Sequence, residues 1–276
     1  MKVSVSTKWL NENLNNKDLI IIDFSWYLPS EKRDCYKEFL NGHIPGSIYL
    51  DMDNISDTNS KLPHMLPDSK KFENFMKLIG LNNNSLVVVY DSKGIYSSPR
   101  LWWMMKYFGF EKVYILNGGL KKWIKERRII TKKIKKRKYG NFKSSINVEY
   151  LSKIKNIYNN LNNKNIKILD ARNKNRFNGL EIEPRKNLRK GHIPNSINLT
   201  WSEVLNKNGT LKKDLELLNI FDKLKINKKN KIICTCGCGV TACILNISLV
   251  KIDYLKISVY DGSWSEWGSL KKMPIS

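Results

Sequence analysis

The chain has 276 residues, five cysteines and a formal net charge of +24. Its length suits two domains of ordinary size, each able to bury a core. It has no apolar run long enough to span a membrane, and its start, Met-Lys-Val-Ser-Val-Ser-Thr-Lys-Trp-Leu, lacks the long apolar core of a secretory signal. The cysteines are odd in number and mostly bunched, so they do not read as a disulfide framework, and a reducing, cytoplasmic setting is expected. The positive charge tempts one toward nucleic acid. The lysines are spread along the chain, however, with one dense run at Lys132 to Lys138, and they travel with asparagine and isoleucine, as AT-rich coding would produce. No RNA-module or zinc-finger pattern accompanies them, so no specific nucleic-acid partner is expected. The charge should draw small anions toward any cleft.

In chain order, one pattern is used twice. The first half runs Ile-Ile-Ile-Asp (20–23), Gly-His-Ile-Pro-Gly-Ser (42–47), Val-Val-Val-Tyr-Asp (87–91) and Gly-Gly-Leu-Lys-Lys-Trp (118–123). The second runs Ile-Leu-Asp-Ala-Arg (168–172), Gly-His-Ile-Pro-Asn-Ser (191–196), Ile-Ile-Cys-Thr-Cys (232–236) and Gly-Ser-Trp-Ser-Glu-Trp (262–267). Order and spacing agree, so we expect two copies of one domain, over 1–130 and 149–276. The basic, polar, aperiodic stretch that opens at Thr131 reads as a linker (131–148) with its charge simply solvated. Within each copy short β-branched runs alternate with helical patterns, which predicts a parallel sheet with helices on both faces. Examples are strands at Ser85–Tyr90 and Val113–Leu116, with a helix at Pro99–Phe108 between them. In the Gly-His-Ile-Pro units proline fixes a turn into a strand, and His43 and His192 read as structural.

The richest stretch is 231–245, which holds Cys234, Cys236, Cys238 and Cys243. Lys231 to Thr235 reads as a buried strand, Cys236 to Thr241 as a loop, and the alanine-containing run behind it as a helix. Glycines let successive N–H groups turn inward, and a helix start adds partial positive charge. A thiol in that cradle should lose its proton easily, and Cys236 is the candidate nucleophile. Zinc sites pair two distant knuckles, whereas here there is a single C-x-C-x-C run, so no metal is expected. Cys234 and Cys243 fit as small core residues; Cys236 and Cys238, in a glycine-flanked loop, do not. Aligning the copies puts Asp91 where Cys236 stands, so chemistry should live in the second copy.

These motifs together resemble the tandem-domain branch of the rhodanese superfamily. Asp-Met-Asp (51–53), Pro-His-Met-Leu-Pro (63–67), Ser-Pro-Arg-Leu-Trp-Trp (98–103) and Tyr-Asp-Gly-Ser-Trp-Ser-Glu-Trp (260–267) extend the likeness over almost the whole chain. The loop Cys236-Gly-Cys-Gly-Val-Thr looks like the Cys-Gly-Ser-Gly-Val-Thr loop of the 3-mercaptopyruvate sulfurtransferases. Thiosulfate-preferring rhodaneses usually carry a basic residue there, and this loop has none.

The resemblance implies a ping-pong reaction without metal or organic cofactor. The Cys236 thiolate attacks the sulfur of 3-mercaptopyruvate, pyruvate leaves, and the persulfide passes its outer sulfur to cyanide, a small thiol or a thioredoxin-like protein. The amides of Gly237, Cys238, Gly239, Val240 and Thr241 would hold the negative persulfide. Arg176 and Arg185 match the family's substrate-anchoring pair, and guanidinium forks suit the oxygens of an α-keto acid. The plainer reading pairs them with Glu181 or Glu183, and Arg172 reads as a structural ion-pair partner. His64 and Asp53 match an acid–base set proposed to act with the loop serine, a position that is Cys238 here; a structural role for His64 at the domain seam is the alternative. A second thiol beside a persulfide could attack it and release sulfide, or could form a disulfide with Cys236; the plainer reading is a tolerated replacement of serine. A thiosulfate sulfurtransferase and a non-catalytic sulfur-carrier module remain the rival functions. A Cys-dependent phosphatase is disfavoured, because its loop would end in arginine.

Overall fold

The computed structural model describes residues 2–276. Ten strands form along them: β1 Ser4–Val5, β2 Leu19–Asp23, β3 Ser47–Tyr49, β4 Leu86–Tyr90, β5 Val113–Leu116, β6 Leu151–Ser152, β7 Ile166–Asp170, β8 Ile197–Asn198, β9 Lys231–Thr235 and β10 Ile257–Tyr260. They make two sheets, in the orders β1-β5-β4-β2-β3 and β6-β10-β9-β7-β8, with every strand pairing parallel. Five added to each strand number of the first order gives the second, so the sequence repeat is a repeat of topology.

Alternate residues of each central strand face opposite sides of its sheet. Ile20 and Ile22 enter a large core, while Leu19 and Ile21 join a smaller one with Leu10 and Trp123 from the outer helices Thr7–Glu12 and Gly119–Lys125. In the second domain Ile232 and Cys234 face the large core, and Ile233 meets Ile157, Trp264 and Trp267 on the other side. Helices therefore cover both faces of each sheet. The strand expected to open at Ser85 opens at Leu86, because the Ser85 hydroxyl accepts the Asn82 N–H and closes a turn. The helix expected over 99–108 runs Ser98–Tyr107, one residue earlier at each end.

Two helices decide how the domains meet. Ser98–Tyr107 follows the loop after β4, and Ala242–Lys251 follows the loop after β9. Nearly every residue of both is buried, and each packs against the other. A helix without a polar face has to be enclosed on all sides. The two domains do this for each other, and one continuous core includes Val3 of the first and Val259 of the second. Within that seam Arg100 Nη2 lies 2.7 Å from Asp261 Oδ1 and 2.5 Å from the His64 carbonyl oxygen, while Asp261 Oδ2 accepts the Leu66 N–H at 2.8 Å.

The linker is less solvated than its composition predicts. Its lysines are exposed, but Arg137 donates to the Leu19 carbonyl at 2.7 Å, and Phe142 inserts edge-on against Phe72 and Phe110. One buried aromatic side chain outweighs the local charge and straps the segment to the first domain. His43 and His192 are structural, as expected. Each stacks on a phenylalanine (Phe39, Phe177) and contacts that residue's carbonyl oxygen through Nδ1.

Removing one partner of a buried ion pair leaves the other charge stranded. Asp261→Asn should therefore cost about 3–5 kcal/mol of stability, read as a lower urea midpoint in chemical denaturation; an unchanged midpoint would show that the seam does not depend on the pair.

Candidate active site

In open parallel sheets, ligand sites gather at the carboxyl ends of strands. The two copies differ there in what their loop amides bind. After β4, the Asp91 carboxylate turns back into its own loop. Its Oδ2 accepts the N–H groups of Tyr96 (2.8 Å), Ser97 (3.1 Å) and Ser98 (3.0 Å), and its Oδ1 accepts that of Lys93 (3.0 Å). The first loop is thus an anion cradle already filled by a carboxylate. After β9, Cys236 stands in the place of Asp91, Gly239 in that of Gly94, and Thr241 and Ala242 in those of Tyr96 and Ser97. Both glycines have positive φ (+117° and +77°), and a Cβ at Gly239 would lie 2.9 Å from the Asp261 carbonyl oxygen. The amides of Gly237, Cys238, Gly239, Thr241 and Ala242 donate to no protein oxygen among the described residues. A row of N–H groups inside a protein needs an acceptor.

The loop is braced from behind by the short helix Ser263–Trp267. The Cys236 N–H reaches Ser263 Oγ (3.2 Å), the Cys236 carbonyl accepts the Trp264 N–H (3.0 Å), and the Gly237 carbonyl accepts both the N–H (2.9 Å) and the hydroxyl (2.6 Å) of Ser265. Both loop thiols are buried, Cys236 at 1 % and Cys238 at 7 % exposure, contrary to the expectation that a glycine-flanked loop is not an interior position. The reason is the apposed first domain, which roofs the loop. Together they line an interdomain cleft of about 390 Å³ with Trp26, Tyr96, Trp201, Arg176 and Arg185. Cys234 and Cys243 are core residues as expected, and burial raises the pKa of each.

Asp53 and His64 cross from the first domain to Cys238. His64 Nδ1 is 3.0 Å from Asp53 Oδ1, and Arg185 Nη2 is 3.3 Å from His64 Nε2. Burial would raise the Cys238 pKa, but the hydrogen bond and charge of His64, the charge of Arg185 and the Val240 N–H together bring it down to about 7. Burial works against the imidazolium of His64, yet Asp53 and Cys238 hold its pKa above the ordinary histidine value. His64, hydrogen-bonded to Cys238, is thus placed to take the Cys238 proton.

Arg176 and Arg185 face the same cleft in different states. Arg176 pairs with Glu183 at 2.5 Å, the plainer of the two readings, although Glu183 is interior rather than on the surface. Glu183 also binds Arg172 at 2.6 Å, which holds Asp170 at 2.7 Å, so a buried chain of charges fixes the Arg176 guanidinium over Gly237. Glu181 accepts instead from Asn173. Arg185 has no carboxylate partner among the described residues and is free to bind an anion. Ser263 and Ser265 support the site without being recognisable as supports in the sequence. The Gly-Ser-Trp-Ser-Glu-Trp motif carried the two serines, but only the fold shows them behind the loop. No group of three or more His, Cys, Asp or Glu among the described residues is arranged to hold a metal ion, and none of their helices is long and apolar enough to cross a membrane.

A sequence model of the rhodanese-like domain matches the chain twice, over residues 6–126 and 153–270. The chain belongs to the rhodanese family. This rhodanese is 38 % identical to the 3-mercaptopyruvate sulfurtransferase of Escherichia coli strain K12, over 98 % of its own length and 96 % of that protein's. It is 37 % identical to the mitochondrial thiosulfate/3-mercaptopyruvate sulfurtransferase 1 of Arabidopsis thaliana, over 98 % and 77 %. It is also 36 % identical to the thiosulfate sulfurtransferase of Mus musculus, over 95 % and 91 %. The crystal structure of SseA from Escherichia coli superposes with a TM-score of 0.88 at 35 % identity, covering 96 % of this chain and 99 % of that one.

The thiolate is the form that alkylates. In a Cys236→Ser background, iodoacetamide labelling of Cys238 should rise with pH through about 7, with the midpoint moved upward in His64→Ala; a midpoint indifferent to His64 would separate the pair.

Proposed function

We propose that this rhodanese moves sulfane sulfur from 3-mercaptopyruvate, through a persulfide on Cys236, to a thiol or cyanide acceptor, releasing pyruvate. The observation that carries the reading is the contrast between the two loops: one is filled by Asp91, and the other is open around Cys236. The Cys236 thiolate attacks the substrate sulfur, the carbon–sulfur bond breaks, and its electron pair leaves as the enolate of pyruvate. The unpaired loop amides suit the negative persulfide, as the matching amides suit a carboxylate in the first copy. Arg185, which has no carboxylate partner among the described residues, binds the substrate carboxylate, and Arg176, fixed by Glu183, meets the keto oxygen. His64, held by Asp53 and facing Cys238, returns a proton to the enolate.

The donor choice follows from the loop, which supplies glycine, cysteine, valine and threonine but no cation for a second sulfonate-like oxygen group. Thiosulfate is the competing donor, as the murine relative's name indicates. Five free cysteines support a reducing, cytoplasmic compartment, where small thiols or a thioredoxin-like dithiol serve as acceptors.

After 3-mercaptopyruvate treatment the chain should take up sulfur, read by intact-protein mass spectrometry and a sulfide assay as added mass or as released sulfide, and Cys236→Ser should abolish both; uptake by Cys236→Ser would reject the nucleophile. Losing one charge-assisted anchor is worth about 1.5–3 kcal/mol, so Arg185→Ala should lower kcat/KM for 3-mercaptopyruvate by roughly 10- to 100-fold. Initial rates should favour 3-mercaptopyruvate over thiosulfate; the reverse order would make thiosulfate the donor.

A further inference from the structure

Sulfur transfer through one persulfide needs one thiol, and this cleft holds two. Cys236 and Cys238 both line it, separated by a single glycine. Two residues of fully extended chain span about 7 Å, and the backbone here bends at Gly237 and Cys238, which shortens that distance. Disulfides join Cα atoms roughly 4.4 to 6.8 Å apart, so the pair is within bonding reach. Cys238 is also prepared as a nucleophile: His64, Arg185 and the Val240 N–H all favour its thiolate, and burial has not silenced it as it has Cys234 and Cys243.

We propose that Cys238 is a resolving thiol that attacks Sγ of the Cys236 persulfide, forming a Cys236–Cys238 disulfide and releasing the outer sulfur as hydrosulfide. The inference rests on the persulfide assigned to Cys236 above. One sulfur–sulfur bond forms between the two cysteines as the bond to the outer sulfur breaks. The two cysteine sulfurs are oxidised, and the departing sulfur is reduced by the same two electrons. Attack by the thiolate on a persulfide anion requires one proton for the leaving sulfur, and the His64 imidazolium supplies it. The loop amides that hold the outer sulfur also stabilise it as it departs.

An external dithiol then resets the site by reducing the disulfide. A ring closed across one glycine is strained, and strained disulfides are the easily reduced ones. The consequence is a second output: the chain hands sulfur directly to an acceptor when one occupies the cleft, and sheds sulfide when none does.

The test treats the reduced wild-type chain, without air or acceptor, with one equivalent of 3-mercaptopyruvate. It follows intact mass, free sulfide and the peptide containing both cysteines. The expected end state is a chain lighter by two hydrogens, one sulfide released per chain, and a Cys236–Cys238 disulfide in the peptide. Cys238→Ser should load, keep its extra sulfur and release none. A wild-type chain that keeps the added sulfur, on either cysteine, without releasing sulfide overturns the inference and leaves the transfer reaction standing. Equal sulfide release from Cys238→Ser overturns it as well. A chain that takes up sulfur neither from 3-mercaptopyruvate nor from inorganic polysulfide overturns the Cys236 reading, and this one with it.

Discussion

The structure turns on a row of main-chain amides that have no partner of their own. Buried N–H groups are nearly always satisfied, and the first copy shows how this loop satisfies them, with three successive amides on one Asp91 oxygen. The second copy keeps the loop and replaces the carboxylate by a thiol; the Cys243 N–H, in the place of that of Ser98, goes to the Val240 carbonyl at 3.2 Å, and the amides of Gly237, Cys238, Gly239, Thr241 and Ala242 meet no protein oxygen among the described residues. Duplication thus gives the molecule an internal reference: the same backbone closed by a side-chain carboxyl group in one copy and open in the other. A sulfur that gains and loses negative charge is the natural occupant of the open copy.

The second constraint is the seam. Each loop runs into a helix with almost no polar surface, and the two helices have only each other and the flanking core for cover. Their packing sets the first domain over the second domain's loop. Arg100, inside the seam, binds Asp261 beneath the loop and the carbonyl of His64 at once. The side chain that faces Cys238 is therefore positioned by the same ion pair that joins the domains. The first copy, without a thiol in its own loop, contributes Trp26 and Tyr96 to the cleft of the other, and sets His64, paired with Asp53, beside Cys238.

Much of this was legible in the sequence because it is local. The strand at Lys231 to Thr235, the loop behind it and the following apolar helix follow from periodicity and glycine placement, and the matched motifs made the duplicated topology readable. Even the correspondence of Asp91 with Cys236 follows from spacing. What Asp91 does does not, because its role depends on where three amides point. The burial of Cys236 and Cys238 is hidden from the sequence for a related reason: a loop that looks exposed within its own domain is roofed by the other. Arg176 and Arg185 read alike in sequence, yet one is tied by Glu183 and the other is not, a difference set by which carboxylates the fold brings inside. Phe142 shows the same limit in the linker, where one aromatic side chain overrides a run of lysines.

If the second loop is an anion cradle, Cys236→Asp, which copies Asp91 into that loop, should fill it. The measurement is chemical denaturation at neutral pH beside the wild type. The variant should be at least as stable as the wild type, because the carboxylate takes the amides that the thiol leaves unmet. A carboxylate buried without such donors would instead destabilise the fold by about 3–5 kcal/mol, and a loss of that size would show that the loop is no anion cradle.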